Sequence, residues 1–132
     1  MDNDRRFTVT PENVNGKRRS YPILEINLSI FQDNLEKDWN VIETKQYKAI
    51  GTNVIYFILQ DDKTRSLQGR LYEPNTLFIS DYPLTLAAEF VLWFREKNFP
   101  NQSIYMFHGL APETTLTISI NSTIQEIESH FS

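Results

Sequence analysis

From Tyr82 to Pro100 the apolar positions recur with a period that only a helix satisfies. At about 100° per residue, Leu84, Leu86, Ala87, Ala88, Phe90, Val91, Trp93 and Phe94 fill an arc of about 220°, while Thr85, Glu89 and Glu96 share a narrow strip. The spacing predicts a helix over residues 83–97, buried on most sides. Pro83 suits its first turn, with Ser80 or Asp81 upstream as a cap, and Asn98 and Pro100 stop it. Ala87 and Ala88 let a flat partner approach the backbone, and the β-rich sequence on both sides predicts that this partner is a sheet.

Elsewhere the period is mostly two. Phe7-Thr-Val-Thr predicts a short edge strand, and Asn15-Gly16 a turn beside the charged run Lys17-Arg18-Arg19. From Tyr21, Leu24, Ile26, Leu28 and Ile30 alternate with Glu25, Asn27 and Ser29, which predicts a strand with one wet face. Gln32 to Asp38 reads as a polar turn. Trp39 to Ile50 is ambiguous: Trp39, Ile42, Tyr47 and Ile50 fit a ragged helix, Trp39-Asn-Val and the flanking threonine a strand, and strand or irregular chain is expected. Thr52 to Gln60 is apolar on both faces, as befits a central strand covered on two sides. With Leu67, Gly69 and Leu71 it forms a hairpin over residues 52–73 around the polar loop Asp61-Asp-Lys-Thr-Arg. Pro74-Asn75 turns the chain into the strand Thr76 to Ser80.

After the central helix come strands at Ser103 to Phe107 and Leu116 to Ile120. A short C-terminal helix over about 123–131 follows, with overlapping capping boxes (Ser122 with Gln125, Thr123 with Glu126) and a stripe of Ile124, Ile127 and Phe131. The expected fold is α+β: a mostly antiparallel sheet of about five to six strands with two helices. The 132 residues suit one domain, residues 1–132, with 1–20 as a polar, partly irregular N-terminal segment.

Charge changes this picture. The net charge is −4, but residues 1–19 carry five basic and three acidic side chains, while 20–132 carry eight basic and fourteen acidic. An acidic body disfavours nucleic acid as a partner, because phosphate binding rests on clustered Lys and Arg. It suits a basic protein, although such a surface also simply keeps a small domain soluble. No apolar run approaches a membrane span, and MDNDRRFTVT lacks the apolar core of an export signal, so a cytoplasmic location is expected.

The supply of chemical groups is thin. The chain has no cysteine and two histidines, and neither His108 nor His130 has a second histidine at i+4, so no metal site is expected. His108 stands at a strand-to-loop junction where catalytic bases occur, but no Gly-x-Ser-x-Gly elbow accompanies it. The acid pairs Asp61-Asp62 and Glu126/Glu128 read as solvated rather than as glycosidic acids. Gly16, Gly51, Gly69 and Gly109 are too widely spread for a phosphate loop, and no cofactor is expected. What remains is binding by surface. Leu92 falls among the polar positions of the central helix, and Tyr56, Tyr72, Tyr82 and Tyr105 offer the amphipathic area that interfaces favour.

Two stretches, Leu71 to Arg95 (LYEPNTLFISDYPLTLAAEFVLWFR) and Thr114 to Ile127 (TTLTISINSTIQEI), resemble small bacterial immunity proteins of contact-dependent or polymorphic toxin systems. The likeness is one of size, acidity and a strand, helix, strand, strand, helix order over the second half of the chain. It implies a cytoplasmic, non-enzymatic protein that binds a toxin domain and blocks its active site or substrate path. No family site residues carry over. From the residues themselves, Asp61, Asp62 and Glu73 are the acidic candidates for partner contact, because the hairpin loop projects into solvent. A secretion chaperone is similar in size and low pI, but such chaperones open with an amphipathic helix, which residues 1–20 do not predict. A small hydrolase using His108 is the third reading.

Overall fold

The computed structural model describes residues 6–12 and 24–132, so the Asn15-Gly16 turn and the Lys17-Arg18-Arg19 run lie outside the described residues. The elements in chain order are β1 (Arg6–Thr10), α1 (Leu28–Asp38), β2 (Val41–Ala49), β3 (Thr52–Gln60), β4 (Ser66–Tyr72), β5 (Thr76–Ser80), α2 (Leu84–Asn98), β6 (Ile104–His108), β7 (Leu116–Ile118) and α3 (Ile124–Phe131). These seven strands form one antiparallel sheet in the order β2-β3-β4-β5-β1-β6-β7. The fold is α+β, and the described residues hold one strand and one helix more than the sequence patterns predicted.

The extra helix overturns two expectations at once. Residues 24–30 are not a strand and 32–38 are not a turn, because α1 runs through both. Asn27 caps it, its side chain accepting from the Ile30 backbone N–H at 3.0 Å, and Leu28, Phe31 and Leu35 then fall on one helical stripe. Phe31 and Leu35 are fully buried, while Ile30, which alternation had placed in the core, is 58% exposed. Only Leu24 to Asn27 is extended. There Ile26 donates to the Pro74 carbonyl at 2.8 Å and Asn75 Nδ2 to the Leu24 carbonyl at 2.6 Å, which ties the segment to the β4–β5 turn.

β1 is an interior strand rather than an edge. It pairs with β5 on one side and β6 on the other, burying Phe7 and Val9 toward the helices and Thr8 and Thr10 on the opposite face. The ambiguous stretch after Trp39 is the nine-residue strand β2, and the β3–β4 hairpin forms as expected.

α2 begins at Leu84, and Pro83 is its N-cap, with no side-chain capping bond. Neither Ser80 nor Asp81 caps it. The Pro83 carbonyl accepts from the Ala87 N–H instead. Leu86, Ala87, Ala88, Phe90, Val91 and Phe94 are buried, and their partner is the sheet, whose inner face supplies Ile55, Phe57, Leu59, Leu67, Leu71, Leu77 and Ile79. The end of the helix is secured by Arg95, which is 6% exposed. Its Nη1 donates to the carbonyls of Phe99, Pro100 and Gln102 at 3.2–3.4 Å, covering groups the chain leaves open there. α3 is capped by Thr123, whose hydroxyl accepts from the Glu126 N–H, and packs Ile127 beside α2.

All three helices lie on one face of the sheet. Among the described residues no helix lies over the other face. Val54 is nonetheless buried on that side, between its cross-strand neighbours Tyr47 and Tyr72. No helix among the described residues is long and apolar enough to cross a membrane.

Candidate functional site

The three helices carry seven carboxylates (Asp33, Glu36, Asp38, Glu89, Glu96, Glu126 and Glu128) against three cations, Lys37, Arg95 and Lys97. Arg95 is buried in its capping role, and Lys97 pairs with Asp38 at 3.4 Å. The polar strip of α2, with Glu89 and Glu96 either side of Leu92, runs down the middle of this surface. α1 flanks it through the Trp93 Nε1–Asp38 hydrogen bond of 2.8 Å. α3 flanks it through Thr85, which donates to Glu128. Leu92 itself packs against the core. The Trp93 indole holds the Asp38 carboxyl below its usual pKa, with Lys97 and Lys37 adding to the effect over a smaller desolvation penalty.

The sheet face away from the helices has the opposite sign. There, among the described residues, Arg6, Lys45 and Arg70 stand against one strand carboxylate, Glu43, amid Tyr47, Tyr56, Tyr72, Phe78 and Tyr105. The Arg6 guanidinium lies 4.6 Å from the Phe78 ring centroid and that of Arg70 5.2 Å from Tyr56, around a recess of about 110 Å³. Tyr82 is on neither surface, being exposed in the segment ahead of α2.

The hairpin acids are not brought together. Asp61 and Asp62 lie at one end of β4 and Glu73 just beyond the other, next to the β4–β5 turn. Asp61 is occupied by its own loop: it accepts from the Lys63 and Arg65 backbone N–H groups at 3.0 and 2.8 Å and from Arg65 Nε at 2.7 Å. Burial pushes this carboxyl up, but those hydrogen bonds together outweigh it and hold the pKa below the ordinary value. Asp62 and Glu73 are exposed.

His108 has a partner that sequence reading missed. Its Nε2 is 2.8 Å from Asp81 Oδ2. β5 and β6 flank β1, so the residue after β5 and the last residue of β6 meet at one end of the sheet. Nothing short of the strand order could have paired residues 27 apart. The Phe7 and His108 rings are in edge contact at 5.4 Å. The nearby Thr114 hydroxyl accepts from the His108 backbone N–H and donates to the Ala111 carbonyl, so its proton is committed away from the imidazole. Asp81 is the only side chain hydrogen-bonded to that ring among the described residues. His130 is separate, bonded to the Thr114 carbonyl at 2.7 Å, and Glu128 is held by Thr85 while Glu126 belongs to the α3 cap. No cluster of three potential metal ligands occurs among the described residues.

No family model matches this sequence, and no curated protein or solved structure is significantly similar to it.

Proposed function

We propose that this chain is a non-enzymatic binding protein of the immunity type, which neutralises a bacterial toxin domain by docking that domain's basic surface on its helical side. The observation that carries the reading is the segregation of charge: a carboxylate-rich surface built on three packed helices, with Arg6, Lys45 and Arg70 on the opposite face of the sheet. Rigid helices present Glu89, Glu96, Asp33 and Glu36 with little ordering cost on binding, and the field they share steers a cationic partner. The alternative docking surface is the hairpin, through Asp62 at its tip and Glu73 at the other end of β4. Asp61 shapes the hairpin loop that presents Asp62.

The experiment is co-expression with the toxin domain encoded beside this gene. Wild type and Asp62→Lys protect the cell fully if the helical side is the site, whereas Glu89→Lys with Glu96→Lys loses protection. Full protection by the helical variant moves the site off the helices, and no protection by the wild type removes immunity as the function.

A secretion chaperone is the second reading, although its opening amphipathic helix has no counterpart among the described residues: α1 (Leu28–Asp38) follows β1. A chaperone would bind an extended, unfolded segment of its client, whereas an immunity protein binds a folded toxin domain.

A further inference from the structure

β2 is a nine-residue strand at the edge of the sheet, with no strand on its outer side among the described residues. The Glu73 N–H donates to the Asn53 carbonyl, so Asn53 points its backbone groups at β4, and its neighbours Thr52 and Val54 point theirs at β2. Alternation along the ladder then fixes β2: Ala49, Tyr47 and Lys45, opposite Thr52, Val54 and Tyr56, bond inward. Thr44, Gln46 and Lys48 direct their N–H and C=O groups outward, away from β3.

The two ends of this edge are unusual. Ile50 sits in the two-residue β2–β3 turn with φ 52°, a left-handed conformation that β-branched residues rarely adopt and that Asn or Gly normally fills. It is 105% exposed. At the other end the β2–β3 register shifts between Val41 and Glu43, leaving Ile42 without a partner on β3 and 56% exposed. Neither isoleucine finds an apolar neighbourhood among the described residues that would account for its side chain.

We infer that the outer edge of β2 pairs antiparallel with β2 of a second copy of this chain, about a two-fold axis through Gln46, joining the two sheets into one. In that register Gln46 faces its own copy, Thr44 faces Lys48, Lys45 faces Tyr47, Glu43 faces Ala49, and Ile42 faces Ile50. The hydrogen-bonded pairs are Gln46 with Gln46 and Thr44 with Lys48, the residues whose backbone groups point outward, so the ladder and the axis agree. Each exposed isoleucine acquires an apolar partner. No like charges stand directly opposite one another; edge lysines otherwise guard a strand against pairing, but here each meets a tyrosine or a threonine. The Gln46 side chain is held clear of the edge by its 2.6 Å hydrogen bond to Gln32 of α1. The interface is isologous and closes at two copies.

The test is sedimentation velocity on the purified full chain at tens to hundreds of micromolar. The wild type is expected at twice the 15.5 kDa of one chain. Gln46→Pro removes an N–H that makes no bond to β3, so it should leave the fold intact and give a monomer. Thr44→Lys sets a lysine opposite Lys48 and should weaken the dimer at least tenfold; adding Lys48→Glu turns that clash into an opposite-charge pair and should restore it. Residues 44 and 48 of one strand are too far apart to interact directly, so the rescue reports pairing between copies and decides the matter even if Gln46→Pro fails to fold. A wild type that remains a monomer overturns the proposal, as does a dimer unaffected by Thr44→Lys.

Discussion

The Phe57 ring occupies the space where a side chain on Gly69 would begin: a Cβ built on Gly69 would lie 2.3 Å from Phe57 Cζ. The two residues are cross-strand partners of β3 and β4 on the inner face, and the same ring meets Phe31 of α1 and Phe90 of α2 at 5.8 and 5.4 Å. Gly69 is therefore what lets an aromatic lie flat on the sheet and be gripped by two helices.

Gly69→Ala forces that ring out of place. We expect a loss of about 1–3 kcal/mol, the usual cost of overpacking a filled core, read as a lower urea midpoint. An unchanged midpoint would mean that Phe57 has room to move.

Phe90 is the converse case, fully buried and in ring contact with Trp39, Phe57, Trp93 and Phe94. Phe90→Ala should cost about 3–5 kcal/mol, again by urea unfolding. A cost below about 1 kcal/mol would contradict the packing of α2 on the sheet.

Asp38 ties α1 to α2 through Trp93 and Lys97, and its pKa is lower folded than unfolded. A depressed carboxylate contributes stability above its unfolded pKa, about 3.9, and loses that contribution as pH falls through the folded value. Asp38→Asn should therefore lower the unfolding midpoint at neutral pH, with the gap to wild type closing as acid protonates the folded carboxyl. A gap that widens in acid would contradict the assignment.

The Asp81–His108 pair joins the segment ahead of α2 to the end of β6. The His108 and Asp81 side chains are partly exposed, at 45% and 22%, so Asp81→Asn should cost no more than about 1 kcal/mol and, under the proposed immunity function, leave protection intact. Loss of protection with the fold preserved would place this pair in the functional site.

The legible parts of the fold were those where one period dominated. Leu86, Phe90, Val91 and Phe94 exclude a strand outright, and the alternation of Thr76 to Ser80 or Leu116 to Ile118 excludes a helix. Residues 24–35 were misread because Leu24, Ile26, Leu28 and Ile30 satisfy alternation while Leu28, Phe31 and Leu35 satisfy a helix, and Asn27 is polar enough for a wet strand position and also a good N-cap. The cap was the available signal. β1 could not be placed inside the sheet from five residues, since its neighbours β5 and β6 come about seventy and a hundred positions later. The same long-range pairing hid Asp81 from His108. The acidic helical side was only half legible: Glu89 and Glu96 were visible as one strip, but Asp33 and Glu36 join that surface only once α1 is a helix.

The most direct measurement of the proposed toxin docking is the association rate between the purified chain and a toxin domain encoded beside its gene, followed at about 50 and about 200 mM salt. Docking on the helical carboxylates predicts a fast rate that falls steeply with salt, and at least a tenfold slower rate for Glu89→Lys with Glu96→Lys at the lower salt. No complex, or a complex whose formation ignores both salt and these charge reversals, would contradict it.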